Sequence, residues 1–164
     1  MVRPHRLGHV VIKVRDVAVS EKFYTEVVGL HVKNRIPQWG LVFFSANPDE
    51  HHELAILGIG KGAPAPSFGQ VGLLHIAFRV KDDVELKKAY EQLKAKNVKI
   101  NATVNHGVAK GVYFHDPDGN ELEIYCDGDP DEYSSWPNTY AGTEKLPFAK
   151  TERGLADVAP IFGR

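Results

Sequence analysis

Residues 7–14 (LGHVVIKV) form an aliphatic, β-branched run interrupted only by His9 and Lys13. The run ends at Arg15-Asp16, so the pattern predicts a strand leading into a helix start. Val17, Ser20, Phe23, Tyr24, Val27 and Val28 then recur near the helical period, and Gly29 stands where such a helix would stop. Three strand-like segments follow at about 31–36, 41–46 and 53–59, punctuated by Pro37 and by Asn47-Pro48-Asp49. Residues 60–71 (GKGAPAPSFGQV) have the Gly and Pro density of a mobile connection.

The opening pattern then returns. Residues 74–82 read LHIAFRVKD where residues 8–16 read GHVVIKVRD, which places His9 and His75 66 positions apart. At the same offset Val14 meets Val80, Asp16 meets Asp82, Tyr24 meets Tyr90 and Val32 meets Val98. Matches spread over a strand, a helix and the next strand indicate an internal duplication. A second helix is expected over 84–95, and strands near 99–104, 112–115 and 122–126, the last two separated by the turn Asp116-Pro117-Asp118-Gly119. The expected fold is therefore α+β, two βαβββ modules in tandem. We place the first at residues 1–60, the connection at 61–71, the second at 72–126, and an irregular tail at 127–164 that serves as surface cover or oligomer contact.

Composition narrows the partners. The 164 residues carry a formal net charge of −1, with Lys and Arg scattered among Asp and Glu, so no basic field exists to track nucleic acid or an acidic membrane. No stretch approaches the roughly 20 apolar residues of a membrane span. A lone cysteine, Cys126, and a start (MVRPHR) without a long apolar run lead us to expect a cytoplasmic protein with a small ligand.

The duplication also points to chemistry. A single histidine on a strand is more often structural than a ligand. His9 and His75, however, occupy equivalent places in two copies of one strand, so a pseudo-symmetric pairing of the modules would make them face each other. A carboxylate would complete a three-ligand face with open positions, the arrangement of non-haem Fe(II) sites. Glu123 is the leading candidate, and Glu121 shares its face by strand alternation, so the pattern leaves the two open.

The segments GHVVIKVRD with FYTEVVGL, LHIAFRVKD, and YFHDPDGNELEIY resemble the recurring segments of the vicinal oxygen chelate superfamily over residues 6–126. That superfamily includes glyoxalase I, fosfomycin-resistance proteins, methylmalonyl-CoA epimerase and the type I extradiol dioxygenases. The resemblance implies a half-open mixed β-barrel around one metal, held by His9, His75 and Glu123, and so favours Glu123 over Glu121. Residues 104–123 (VNHGVAKGVYFHDPDGNELE) are most similar to the ring-cleavage signature of the catechol 2,3-dioxygenases, supplied here by His106, Val112-Tyr113, Asp116-Pro117, Gly119 and Glu123. His52-Glu53-Leu54-Ala55 resembles the context of their catalytic histidine.

The implied activity is extradiol cleavage of a small aromatic diol by O2 at Fe(II), or Mn(II). His52 would act as acid and base, and His106 and Tyr113 would hydrogen-bond the substrate oxygens. A homodimer or higher homo-oligomer is expected, with Trp39, Phe43, Phe68 and the tail as pocket walls. Two features depart from the family pattern: the larger extradiol enzymes have four modules, and the connection from His52 to His75 is long. The alternative is a glyoxalase I-like lyase or isomerase with Glu53 as a fourth ligand, and strand alternation prevents His52 and Glu53 from both facing the metal. Some relatives only sequester a drug, but these lack the three ligands.

Overall fold

The computed structural model describes residues 1–67, 69–136, 142 and 144–149. It divides into two compact units, residues 1–67 and 68–164. Phe68 and the rest of the tail lie outside the described residues.

In the first unit, β1 (Val10–Val14) runs into α1 (Val17–Glu26), followed by β2 (His31–Ile36), β3 (Leu41–Ser45) and β4 (Leu54–Gly58). The sheet order is β1-β4-β3-β2, with β1 parallel to β4 and the remaining pairs antiparallel. A parallel first-to-last pairing requires a crossover, and α1 begins it. Asp16 caps that helix, its side chain accepting from the amides of Ala18 and Val19. Tyr24 on α1 is fully buried, its ring 5.8 Å from that of Phe44, and Val14, Leu54 and Ile56 complete the core.

The second unit repeats the plan with β5 (His75–Arg79), α2 (Asp83–Ala95), β6 (Ile100–Asn105), β7 (Ala109–His115) and β8 (Glu121–Asp127), in the order β5-β8-β7-β6. β5 and β8 are again parallel. Asp82 caps α2 through the amides of Val84 and Glu85, as Asp16 caps α1, so the duplicated aspartate is a duplicated helix start. Buried Leu86, Tyr90 and Leu93 give α2 its apolar face, and Val112, Phe114, Leu122, Ile124 and Cys126 are among the buried apolar positions of its sheet. Both units also slip register in their second-to-third strand pair, at Val32/Asn34 and at Ile100/Ala102. The fold is thus α+β, two tandem modules each built on a four-stranded mixed sheet. Asp82→Ala should lower unfolding free energy by about 1 kcal/mol, measured in urea, because two first-turn amides lose their acceptor.

Most bounds shift from the sequence expectation by a residue or two, and three differences bear on the site and its surroundings. β1 begins at Val10, so His9 precedes the strand, whereas His75 opens β5. β7 begins at Ala109 rather than 112, because Lys110 and Gly111 pair with Cys126 and Tyr125 despite the poor strand propensity of Ala-Lys-Gly. Lys110 is buried by that pairing, and its ammonium lies 2.9 Å from Asp83 and 2.7 Å from Glu132. A short helix, α3 (Pro130–Tyr133), opens the tail, capped by Asp129 with Pro130 in its first turn. Among the described residues no helix is long and apolar enough to cross a membrane.

Candidate active site

In the second unit the parallel β5–β8 register sets His75 beside Glu121 and Ala77 beside Glu123. Alternation along β8 sends Leu122, Ile124 and Cys126 to one face and Glu121, Glu123 and Tyr125 to the other. Glu123 is a carboxylate at 6% exposure. Its Oε2 lies 3.3 Å from His75 Nε2, a bond that raises the proton affinity of His75 against the opposing effect of burial. Glu121 acts on His75 only as the weaker of two charges.

Tyr113, aligned with Glu123 across β7–β8, sets its ring edge-on to His75 at 5.7 Å. Burial, and then the Glu123 charge, push the phenol well above its ordinary range. Its hydroxyl is 3.0 Å from His106 Nε2, and His106 Nδ1 is 2.9 Å from the Gly142 carbonyl. A carbonyl only accepts, so Nδ1 carries a proton, while the Tyr113 hydroxyl lies between His106 Nε2 and the Glu123 carboxylate, with which it also hydrogen-bonds. The hairpin that fixes this register is closed by Asp116, whose carboxylate accepts from the amides of Asp118 and Asn120 and from Asn120 Nδ2.

In the first unit His52 is the centre of a second group. Its ring lies 4.4 Å from that of His9 and 5.0 Å from that of Phe43, and its Nδ1 is 2.6 Å from His51 Nδ1. Burial, followed by the charges of His9 and His51, lowers its proton affinity. Glu53 serves the β3–β4 connection instead. Its Oε2 accepts from Ser45 Oγ at 2.8 Å, Ala46 N at 2.9 Å and Asn47 N at 3.2 Å. Burial works against ionisation there, and these bonds outweigh it, holding the carboxyl below its usual range.

The two registers can be matched strand by strand. β1–β4 pairs Val10 with Leu54 and Val11 with Ala55, while β5–β8 pairs Ile76 with Leu122 and Ala77 with Glu123. Ala55 therefore holds in the first unit the place of Glu123, Glu53 that of Glu121, and Phe43 that of Tyr113. In this matching Ala55, and not Glu53, holds the place of Glu123, while Glu53 is hydrogen-bonded within the β3–β4 connection.

Among the described residues no group of three or more His, Cys, Asp or Glu is gathered so that it could hold a metal ion. The second unit gathers a pair, His75 with Glu123, and sets Tyr113 and His106 next to it. The first unit gathers His9 with His52 and adds His51, to which the sequence analysis gave no role. The Gly142 carbonyl was also missed, and no sequence signal marks it. Phe43 borders His52, whereas Trp39 is exposed.

Two βαβββ units, with histidines leading their first strands and a buried carboxylate on the last strand of the second, define a tandem-module protein whose sheet faces carry nitrogen and oxygen donors. The chain belongs to the Glyoxalase/Bleomycin resistance protein/Dioxygenase superfamily, whose family model matches residues 6–124. It is 34% identical over 123 residues to a protein of Rhodococcus globerulus named biphenyl-2,3-diol 1,2-dioxygenase 3, covering 74% of this chain and 63% of that one. It is 32% identical over 126 residues to a probable chloroplastic lactoylglutathione lyase of Arabidopsis thaliana, covering 73% of this chain and 35% of the relative. The chain thus spans less than two thirds of either relative. Among solved structures, a glyoxalase/dioxygenase from Nostoc punctiforme superposes with a TM-score of 0.64 at 24% identity, over 79% of this chain and 97% of that one, a likeness of fold.

Proposed function

We propose that the protein is an extradiol dioxygenase that opens the ring of a small aromatic diol with O2. His75 and Glu123 would hold a divalent ion, Fe(II) or Mn(II), with His9 as the third ligand. An imidazole nitrogen and a carboxylate oxygen 3.3 Å apart, the carboxylate sunk into the sheet face, are a donor set suited to these ions. His9 is assigned on its equivalence to His75 in the duplicated pattern. Held there, such an ion would offer positions for two adjacent substrate oxygens and dioxygen.

The observation that carries this reading is the hydrogen-bonded His106–Tyr113 couple beside the His75–Glu123 pair. The couple is held beside the pair before any substrate arrives, and the Tyr113 hydroxyl, turned from its present partners to a diol oxygen, would donate to the charge that develops there. His52, with depressed proton affinity next to His9, takes the proton of the second hydroxyl and returns one to the opened ring. A lyase would need a further acidic donor, and Ala55 stands where the duplicated fold would supply it.

The test is to load the protein with Fe(II) without air, then add oxygen with a panel containing catechol and biphenyl-2,3-diol. A yellow ring-opened product with one oxygen consumed per diol is the expected outcome. Protein that keeps its iron yet consumes no oxygen with any diol, while converting a hemithioacetal, would belong to the lyase class instead.

A further inference from the structure

A carboxylate at 6% exposure needs a partner and room. His75 is the partner of Glu123. Across β7–β8, Tyr113 lies opposite Glu123 and Gly111 opposite Tyr125, so Gly111 is the diagonal neighbour of Glu123 on the same face. A Cβ built on Gly111 would overlap Glu123 Oε1 and come within 3.0 Å of its Cδ and 3.2 Å of its Cγ. Gly111 is not among the glycines with positive φ, so backbone freedom is not what glycine contributes here. Absence of a side chain is.

The first unit provides an internal comparison. Leu41, opposite Leu57, occupies the place of Gly111, and Ala55 occupies that of Glu123. There a large residue on the third strand lies diagonal to a small one on the fourth. In the second unit the sizes are exchanged, a glycine making room for a buried carboxylate.

We propose that Gly111 is a positioning residue whose missing side chain forms the slot in which the Glu123 carboxylate turns to His75. As a statement about a metal donor it rests on the proposed function; as a statement about packing it can be tested separately. The experiment is a double-substitution cycle on metal-free protein, using Gly111→Ala, Glu123→Ala and the pair, read by melting temperature. Mn(II) binding is followed alongside through loss of the free-ion paramagnetic resonance signal.

Gly111→Ala should lower the melting temperature by about 3 °C when Glu123 is present. In the Glu123→Ala background the same change should leave it unaltered or raise it, since alanine in a strand loses less chain entropy than glycine. Mn(II) affinity of Gly111→Ala should fall at least about tenfold. Equal losses of stability in both backgrounds, failure of both Gly111→Ala proteins to fold, or unchanged Mn(II) affinity would overturn the proposal. If the unsubstituted protein binds no Mn(II) while the melting cycle still shows coupling, the slot stands and the metal assignment fails.

Discussion

Glu123→Ala protein, loaded with Fe(II) without air and desalted, is expected to keep less than about a tenth of the metal retained by the unsubstituted protein. With a diol it should consume oxygen at the background rate. The expectation follows from what the side chain supplies: the only buried negative charge within bonding distance of His75 among the described ion pairs. Loss of an outer-shell partner already costs roughly 10–100-fold in affinity, and loss of a direct anionic donor should cost more. Stability of the metal-free protein should move the other way from an ordinary core truncation. Removing Glu123 relieves a buried charge, and His75, with its side chain 32% exposed, can release its proton instead of being left charged without a partner. Calorimetry on metal-free protein should therefore show no loss of melting temperature. A large loss, with iron still bound, would make Glu123 a structural residue and remove the basis of the proposed centre.

The parts of this site that could be read from the sequence are those carried by periodicity and local chemistry. Asp16 and Asp82 mark helix starts because each must accept first-turn amides. The Asp116 turn marks a hairpin because its carboxylate closes that loop on itself. Alternation on β8 narrowed the carboxylate to Glu121 or Glu123; the β5–β8 register aligns His75 with Glu121, and it is the side-chain contact across that register that sets Glu123 against His75. The choice between His52 and Glu53 had the same character. Adjacent strand residues point opposite ways, but which one turns toward His9 is decided by the β3–β4 connection, where Ser45, Ala46 and Asn47 present three donors that Glu53 satisfies. The constant offset of 66 also hid an equivalence. Between the first and last strands the second unit gains residues, so Ala55 corresponds to Glu123 and not to Glu121. Gly111 left a trace that could have been used, since a glycine inside a strand signals a close approach of something else.

His52→Phe is the substitution that separates proton transfer from metal binding. The phenyl ring matches the imidazole in size and shape, so it should fill the space between the rings of His9 and Phe43, now 4.4 and 5.0 Å from that of His52. It brings no nitrogen, and nothing in the His75–Glu123 pair depends on it. Iron content and diol affinity should therefore stay near those of the unsubstituted protein. Turnover should fall by about 10²–10⁴-fold, the usual contribution of a positioned acid or base. The split matters: a loss confined to kcat places His52 in the reaction itself, whereas parallel loss of iron would mean that it merely supports His9. His51→Phe serves as the control, because it removes the Nδ1–Nδ1 hydrogen bond but leaves the His52 imidazole in place, and its effect on kcat should be the smaller of the two. Stopped-flow oxygen consumption with a saturating diol, on samples assayed for iron, measures all of these quantities together. A His52→Phe protein that turned over at the full rate would rule out His52 as the proton carrier.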